Sequence, residues 1–127
     1  GDGEPTADAM VHLVVGEQEE RTAATGDGPV HALDQAVRKA LRPFFPNVDE
    51  IHLIDYRVRV LDGAEGTATQ VRVLIESADA HGSWTTVGVS PNILEASWEA
   101  LADSVEYGLA RHHGAVMVVP GAEVVSA

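Results

Sequence analysis

Apolar residues recur along the chain with two spacings, one typical of β-strands and the other of α-helices. Residues 10–15 form a short apolar run, and residues 19–25 run back after a turn at Gly16. These two segments predict a β-hairpin. Residues 1–9, in front of the hairpin, are mostly polar and show no periodicity, which is typical of a linker or a frayed terminus.

A second group of strands is predicted in the middle of the chain. In residues 51–61, hydrophobic and charged side chains alternate, as they do in a strand that is buried on one face. Residues 71–75 and 83–89 predict two further strands, with turns at residues 62–66 and 79–82. The alternating strand has an apolar face and a charged face, which consist of Ile54, Tyr56, Val58 and Val60, and of Asp55, Arg57 and Arg59.

Two helices are predicted, each directly after a strand and a turn. The first begins with Asp27 or Gly28 as its N-cap and has Pro29 in its first turn. The second begins with Ser90 as its N-cap and Pro91 at its first helical position. The buried stripes at helical spacing are Val30, Leu33, Val37, Leu41 and Phe44 in the first helix, and Leu94, Trp98, Leu101, Val105 and Leu109 in the second.

The two strand–turn–helix segments are similar to each other, which indicates an internal repeat. At one common spacing, Gly26 corresponds to Gly88 and Pro29 to Pro91. The order of elements is therefore ββα followed by βββα. This order predicts a pseudo-symmetric α+β fold whose helices pack on antiparallel sheet. The predicted domain spans residues 10–113, and the tail of residues 114–127 either adds an edge strand or is disordered.

Composition and charge narrow the possible functions. The 127 residues, of which 45% are hydrophobic, suffice for one domain with a core. We expect no membrane segment, because no apolar run reaches about eighteen residues. The absence of cysteine fits a cytoplasmic protein. A net charge of −12, with only 8 Lys and Arg residues, argues against binding to nucleic acid.

Few residues are candidates for catalysis or metal binding. The six histidines are scattered, and the adjacent His112 and His113 point in different directions on a helix, so we expect no metal site. The G-x-S-x-G motif of a nucleophilic serine is not present. Asp55 could act as a general base, although an ion pair with Arg57 or Arg59 is the simpler interpretation.

The two glycine turns are better candidates for a binding site. The N-terminus of a helix offers free N–H groups and a positive potential to a carboxylate. Beside apolar residues such as Val30 and Val89, these turns could hold an amino acid by its carboxylate and its alkyl side chain. The alternative is that both turns are only tight connections between a strand and a helix.

Three segments also carry a resemblance to a known family. Residues 26–34 (GDGPVHALD), 53–63 (LIDYRVRVLDG) and 83–109 resemble the C-terminal regulatory (LeuA dimerisation) domain of the α-isopropylmalate synthase family. More narrowly, they are similar to its citramalate synthase branch. The resemblance covers about residues 10–110 and leaves the tail after residue 113 without a function.

The resemblance implies a regulatory role. Parent enzymes of this family condense acetyl-CoA with a 2-oxo acid in a separate N-terminal TIM barrel that binds a divalent metal. This chain would then be a non-catalytic part of an acyltransferase, with no cofactor of its own. In the family, the domain forms a homodimer and binds the end product of the pathway at the dimer interface. That effector is isoleucine for citramalate synthases and leucine for isopropylmalate synthases.

The resemblance also suggests roles for individual residues. Backbone N–H groups of the turns would bind the carboxylate of the effector, and Asp55 or the Ser90 hydroxyl would bind its ammonium group. Val30, Leu33, Tyr56 and Val89 would line the alkyl pocket. The complete set of expected effector-binding residues is Gly26, Gly28, Pro29, Val30, His31, Leu33, Asp55, Tyr56, Gly88, Val89, Ser90, Pro91 and Asn92.

Two other functions remain open at the level of the sequence. The chain could be a structural dimerisation module without a ligand, which would use the same apolar faces and treat the turns as connections. It could also be a small enzyme with Asp55 or a histidine as its base, but the sequence contains no paired acid and base that would support this.

Overall fold

The computed structural model describes residues 6–62, 69–113 and 122–126, and for residues 112, 113 and 122–126 it describes the backbone alone. A short 3-10 helix, Pro46–Glu50, connects the first helix to the third strand. The strands and helices, in chain order, are β1 (Ala7–Val15), β2 (Gln18–Gly26), α1 (Pro29–Leu41), β3 (His52–Leu61), β4 (Gln70–Asp79), β5 (Gly82–Ser90), α2 (Ile93–His113) and β6 (Ala122–Ser126).

The strands form two antiparallel sheets, and each sheet carries one helix. One sheet has the order β2-β1-β6, and the other has the order β3-β4-β5. Helix α1 packs on β1 and β2, helix α2 packs on β4 and β5, and the two helices contact each other. This arrangement confirms the predicted α+β class and the ββα–βββα order. Because both helices contribute to one apolar cluster, the two units share a single core.

The first strand begins earlier than the sequence predicts. Ala7 and Ala9, which fall in the predicted linker, are buried and pair with Gly26 and Ala24 of β2. They belong to the strand because their small side chains point toward the core at alternate positions. Residues 1–5 lie outside the described part of the chain.

Part of the C-terminal tail forms an edge strand, which was one of the two outcomes considered for it. Strand β6 pairs antiparallel with β1, with Ser126 opposite Ala7. The tail therefore gives the first unit its third strand, as β3 does for the second unit. Residues 114–121 and 127, including the predicted helix stop at Gly114, lie outside the described residues.

The internal repeat is present, but its spacing is two residues longer than the glycines indicate. In the first unit, the Thr22 hydroxyl donates to the carbonyl oxygen of Ala36 at 2.7 Å. In the second unit, Thr86 donates to Ala100 at 2.6 Å. Both residue pairs differ by 64 positions, so the pairing of Gly26 with Gly88 and of Pro29 with Pro91 was wrong. Packing between strand and helix sets the register of the repeat, and glycine spacing does not report that packing.

The second helix starts at Ile93, two residues later than the sequence predicts. The side-chain oxygen of Asn92 accepts hydrogen bonds from the N–H groups of Leu94 (2.8 Å) and Glu95 (3.3 Å). Asn92 is therefore the N-cap, and Pro91 precedes the helix. Ser90, the predicted cap, instead accepts a hydrogen bond from the Asn92 N–H at 3.1 Å. Asparagine is as good an N-cap as serine, and its longer side chain reaches both amides.

A β-bulge changes the predicted alternation in β3. The register with β4 shifts between Leu53 and Asp55, which leaves Ile54 without an opposite residue. Ile54 is consequently exposed, and Leu53 takes its place on the face that points toward the core. After the bulge the alternation holds, with Tyr56 opposite the buried Ile75. A bulge of this kind leaves no signal in hydrophobic periodicity.

Two glycines allow a helix to approach its strand closely. A β-carbon on Gly88 would overlap the carbonyl oxygen of Ala96 and lie 3.0 Å from the backbone nitrogen of Ala100. A β-carbon on Gly26 would lie 2.8 Å from the Cα atom of Ala32. Glycine is required at both positions because each strand lies directly against the backbone of its helix.

Candidate functional site

The outer side of α1 and the first half of β3 enclose an open cavity of about 540 Å³. This volume lies within the range of sites that bind small molecules. Val30, Ile51, Leu53 and the ring of Tyr56 provide its apolar part. Its polar wall consists of His31, Asp34, Gln35, Arg38, Asp49 and His52.

A largely buried ion pair lies in the wall of the cavity. The Nε atom of Arg38 is 3.0 Å from both carboxylate oxygens of Asp34, one helical turn earlier. The same guanidinium donates from Nη1 to the carbonyl oxygen of Val48 at 2.9 Å. Because Val48 belongs to the 3-10 helix, Arg38 holds that segment against α1 and fixes one side of the cavity.

A second, exposed ion pair lies at the rim. The guanidinium of Arg42 donates to both carboxylate oxygens of Asp49, at 2.8 and 3.0 Å. The hydrogen bond from Arg42 lowers the pKa of Asp49, and the bond to Asp49 raises the pKa of Arg42. Both carboxylates of the cavity wall therefore have a guanidinium partner. Apart from its two histidines, the wall carries little net charge, and a zwitterion fits such a surface.

Tyr56 connects the cavity to the second helix. Its ring lines the cavity, and its hydroxyl is 3.1 Å from the buried hydroxyl of Ser97 on α2. A partly buried tyrosine needs a partner for its hydroxyl, and Ser97 provides one. A ligand in the cavity that contacts the ring of Tyr56 would therefore contact a side chain that is hydrogen-bonded to α2.

The N-terminus of α1 lies beside the cavity and has no side-chain cap. Its N-cap is Gly28, which forms no side-chain hydrogen bond to the first turn. The first amides of a helix have no partner within the helix, so Val30 and His31 direct N–H groups outward. The His31 ring folds back, and its Nδ1 atom accepts a hydrogen bond from the Asp27 N–H at 3.0 Å. The Nε2 atom of the same ring lies 3.0 Å from the amide nitrogen of Gln35.

The corresponding start of α2 is closed. Asn92 occupies the position equivalent to Gly28 and already binds the amides of the first turn of α2. Gly88 is packed under the helix, Ser90 is buried, and Val89 is exposed on the opposite face of the sheet. None of the residues from Gly88 to Asn92 lines the cavity.

The structure therefore brings together only part of the expected site. Val30, His31 and Tyr56 line the cavity, and Gly28 and Pro29 begin the helix beside it. Leu33 is in the core, and Gly26 lies against α1. Asp55 is paired with Arg57 at 2.7 Å and lines a smaller depression on the other face of the sheet.

Sequence reasoning missed most of the polar wall. His31, Gln35, Asp34 and Arg38 lie on one side of α1, at the spacing of three or four residues that places side chains together on a helix. This polar face was the available signal. The contributions of Asp49, Ile51 and His52 depend on the 3-10 helix and on the bulge in β3, which hydrophobic periodicity does not report.

The described residues contain neither a candidate metal-binding cluster nor a helix that could span a membrane. Within residues 6–62, 69–113 and 122–126, no group of three or more His, Cys, Asp or Glu residues is placed to hold a metal ion. Within the same ranges, neither helix has the length and apolarity needed to cross a membrane.

The fold and the cavity together define a two-unit α+β domain with a ligand-sized opening between a helix and an edge strand. Residues 2–109 match the family described as the LeuA allosteric (dimerisation) domain, and the chain belongs to that family. The resemblance derived from the glycine turn, the alternating strand and the second helix is thereby confirmed.

Known enzymes contain similar segments. The chain is 55% identical over 108 residues to an (R)-citramalate synthase from Aquifex aeolicus, which covers 85% of this chain and 20% of the relative. It is 44% identical over 110 residues to the (R)-citramalate synthase of Streptomyces coelicolor, and this alignment covers 87% of the chain and 21% of the relative. A 2-isopropylmalate synthase of Thermus thermophilus is 37% identical over 102 residues, and this alignment covers 79% of the chain and 27% of the relative. The chain thus spans about a fifth of the length of the citramalate synthases that it matches.

Proposed function

We propose that this chain is the feedback-sensing domain of an acetyl-CoA-dependent enzyme that condenses a 2-oxo acid. It binds a branched-chain amino acid, isoleucine in preference to leucine, in the cavity between α1 and β3. As in the family that it resembles, it acts as a homodimer with the effector at the dimer interface. The divalent metal and acetyl-CoA belong to the N-terminal catalytic barrel of the parent polypeptide.

The observation that carries this proposal is the uncapped start of α1 beside a cavity with a balanced charge. The amides of Val30 and His31 offer donors for a carboxylate, and the positive end of the helix dipole favours a negative group there. Val30, Leu53 and the ring of Tyr56 provide an apolar surface for a short branched side chain.

The polar wall offers acceptors for the ammonium group. The carboxylate of Asp34 has its Arg38 partner on one side and can accept a further hydrogen bond, because each carboxylate oxygen has two acceptor sites. Asp55 cannot take this role in the same cavity, since it lies on the opposite face of the sheet and is bound to Arg57. Regulation then requires that the effector bind one arrangement of the parent enzyme more tightly than the other.

The preference for isoleucine rests on similarity. The citramalate synthases of Aquifex aeolicus and Streptomyces coelicolor are 55% and 44% identical to this chain, and the 2-isopropylmalate synthase of Thermus thermophilus is 37% identical. Isoleucine and leucine differ only in the position of one methyl group, and a pocket discriminates such a difference by about 1–3 kcal/mol.

Calorimetric titration with isoleucine, leucine and valine in parallel tests the proposal. Val30→Trp fills the cavity from the exposed side of α1 and should abolish binding. Val89→Trp is the control, because it makes the same change at an exposed position of β5, away from the cavity. Failure of the folded chain to bind any of the three amino acids at millimolar concentration would favour a structural dimerisation module.

A further inference from the structure

One face of the second sheet is buried at its centre and exposed at its edge. Val58 of β3 lies directly opposite Val73 of β4, and Val60 lies opposite Val71. Opposite residues in an antiparallel pair point to the same face, so Val58 and Val60 share the face of the fully buried Val73. Helix α2 covers this face over β4 and β5. Nevertheless, Val58 is 42% exposed and Val60 is 61% exposed.

We infer that the inner face of β3, which consists of Tyr56, Val58 and Val60, is the surface on which a second copy of this chain packs. The inference rests on the proposed function only in taking the domain to be a homodimer, and it adds the location of the contact. It requires no contribution from the effector.

Charge favours a second copy at this face over other surfaces of the chain. Two molecules that each carry a net charge of −12 repel each other wherever acidic groups meet. The inner positions of β3 carry no charged residue, and β-branched side chains there continue the packed layer under α2. Two copies can therefore approach at this face without bringing carboxylates together.

The alternative use of an edge strand is hydrogen bonding to a strand of another molecule. On β3 this is disfavoured, because successive outward positions after the bulge are charged and the bulge interrupts the first half of the strand. Asp55, Arg57 and Arg59 would all have to be accommodated in such a continued sheet. Packing of side chains on the inner face leaves these residues in water.

The position of Tyr56 gives the contact a second consequence. Tyr56 belongs both to the cavity and to the inner face of β3. A copy packed on Val58 would therefore lie next to the open side of the cavity. A change at Val60, the residue of this face farther from the cavity, separates the two properties, because Val60 does not line the cavity.

Sedimentation equilibrium of the complete 127-residue chain, without effector, tests the assignment. Val60→Lys should raise the dimer dissociation constant by about tenfold or more, because it places a charge in an apolar contact. Val87→Lys and Val89→Lys are matched controls, since these valines are each 43% exposed on the opposite face of the same sheet. Both control variants should dimerise within about twofold of the unchanged chain.

Three outcomes would overturn the inference: a monomeric unchanged chain, normal dimerisation of Val60→Lys, or a larger effect of Val89→Lys. If Val60→Lys failed to fold by circular dichroism, Val58→Thr, which nearly preserves shape, would replace it with the same expected direction. Titration of each variant with isoleucine separates the two proposals. A weakened dimer of Val60→Lys, without any isoleucine binding to the unchanged chain, would support the surface and contradict the effector site. Normal dimerisation of Val60→Lys, with isoleucine binding to the unchanged chain, would contradict the surface and support the effector site.

Discussion

The hydroxyl of Tyr56 on β3 lies 3.1 Å from the hydroxyl of Ser97 on α2. It joins the cavity, which is built from the first helix and β3, to the helix of the second unit. This hydrogen bond between β3 and α2 therefore connects the candidate ligand cavity to the helix that packs on β4 and β5.

The contribution of this bond can be measured with a double-mutant cycle. Tyr56→Phe and Ser97→Ala should each lower the free energy of unfolding by about 1 kcal/mol, since each leaves a partly buried hydroxyl without its partner. The double variant should lose less than the sum of the two, with a coupling energy of about 1 kcal/mol. Urea denaturation of the four proteins provides the values. Strict additivity would mean that the two hydroxyls do not stabilise each other.

Capping the first helix should weaken effector binding while it strengthens the fold. Gly28→Asn would introduce at α1 the side chain that Asn92 provides at α2, and it should raise stability by a few tenths of a kcal/mol. The new side chain would occupy the amides proposed to bind the effector carboxylate, so isoleucine affinity should fall about tenfold. Gly28→Ala is the control, because it adds no acceptor and has open space around its β-carbon. Equal affinity of both variants would argue against carboxylate binding at this helix start.

Gly88→Ala should destabilise the domain by about 1–3 kcal/mol, because the new methyl group meets the backbone of α2 and neither can move without repacking. Thermal or urea unfolding measures the loss. The same change at Gly28 provides the comparison. There the backbone is extended, with φ of −166°, and a β-carbon meets no other atom. The poorer N-cap preference of alanine and its lower unfolded-state entropy oppose each other, so alanine should change stability by no more than about 0.5 kcal/mol. A neutral Gly88→Ala variant would contradict the close approach between β5 and α2.

The two arginine–aspartate pairs at the cavity should differ in their importance for stability. Arg38→Met keeps the aliphatic stem but leaves the largely buried Asp34 carboxylate and the Val48 carbonyl without their donor, at a cost of about 3 kcal/mol. Arg42→Met removes an exposed pair and should have a much smaller effect. Denaturant midpoints of both variants check the order. Similar losses in the two variants would show that burial of the Arg38 pair does not dominate its effect.

The stability of the domain should depend on pH through Glu106. Burial raises the pKa of this carboxyl group, and the charge of Asp103 raises it further. The folded state therefore holds the proton more tightly than the unfolded state. The resulting stability is present at pH values below the unfolded pKa and is lost as the pH rises through the folded pKa. Glu106→Gln should raise the melting temperature at pH 7, and the gain should disappear near pH 4, where the wild-type carboxyl is already protonated. A gain that did not change with pH would contradict this cause.

The amino-acid sequence by itself determined the class and the order of the elements. Period-two alternation in residues 51–61 and the helical stripe from Leu94 to Leu109 are properties of neighbouring residues, which face one environment together. The hairpin at Gly16 follows for the same reason, since this glycine has a positive φ of 62° at the turn. The resemblance of residues 26–34, 53–63 and 83–109 to the family is also a property of the sequence alone.

Only the tertiary structure decided the register of the repeat and the composition of the cavity. Thr22 and Thr86 donate to helix carbonyls at equivalent points of the two units. This packing makes Asn92 the counterpart of Gly28, the N-cap of the first helix. The cavity wall joins α1 to residues that follow the 3-10 helix and a one-residue bulge. Contacts of this kind form between segments that are distant in sequence, and their geometry depends on shifts of one or two residues. Local hydrophobic spacing does not encode such shifts, so Asp34 and Arg38 could be seen as a polar helix face but not as part of a site.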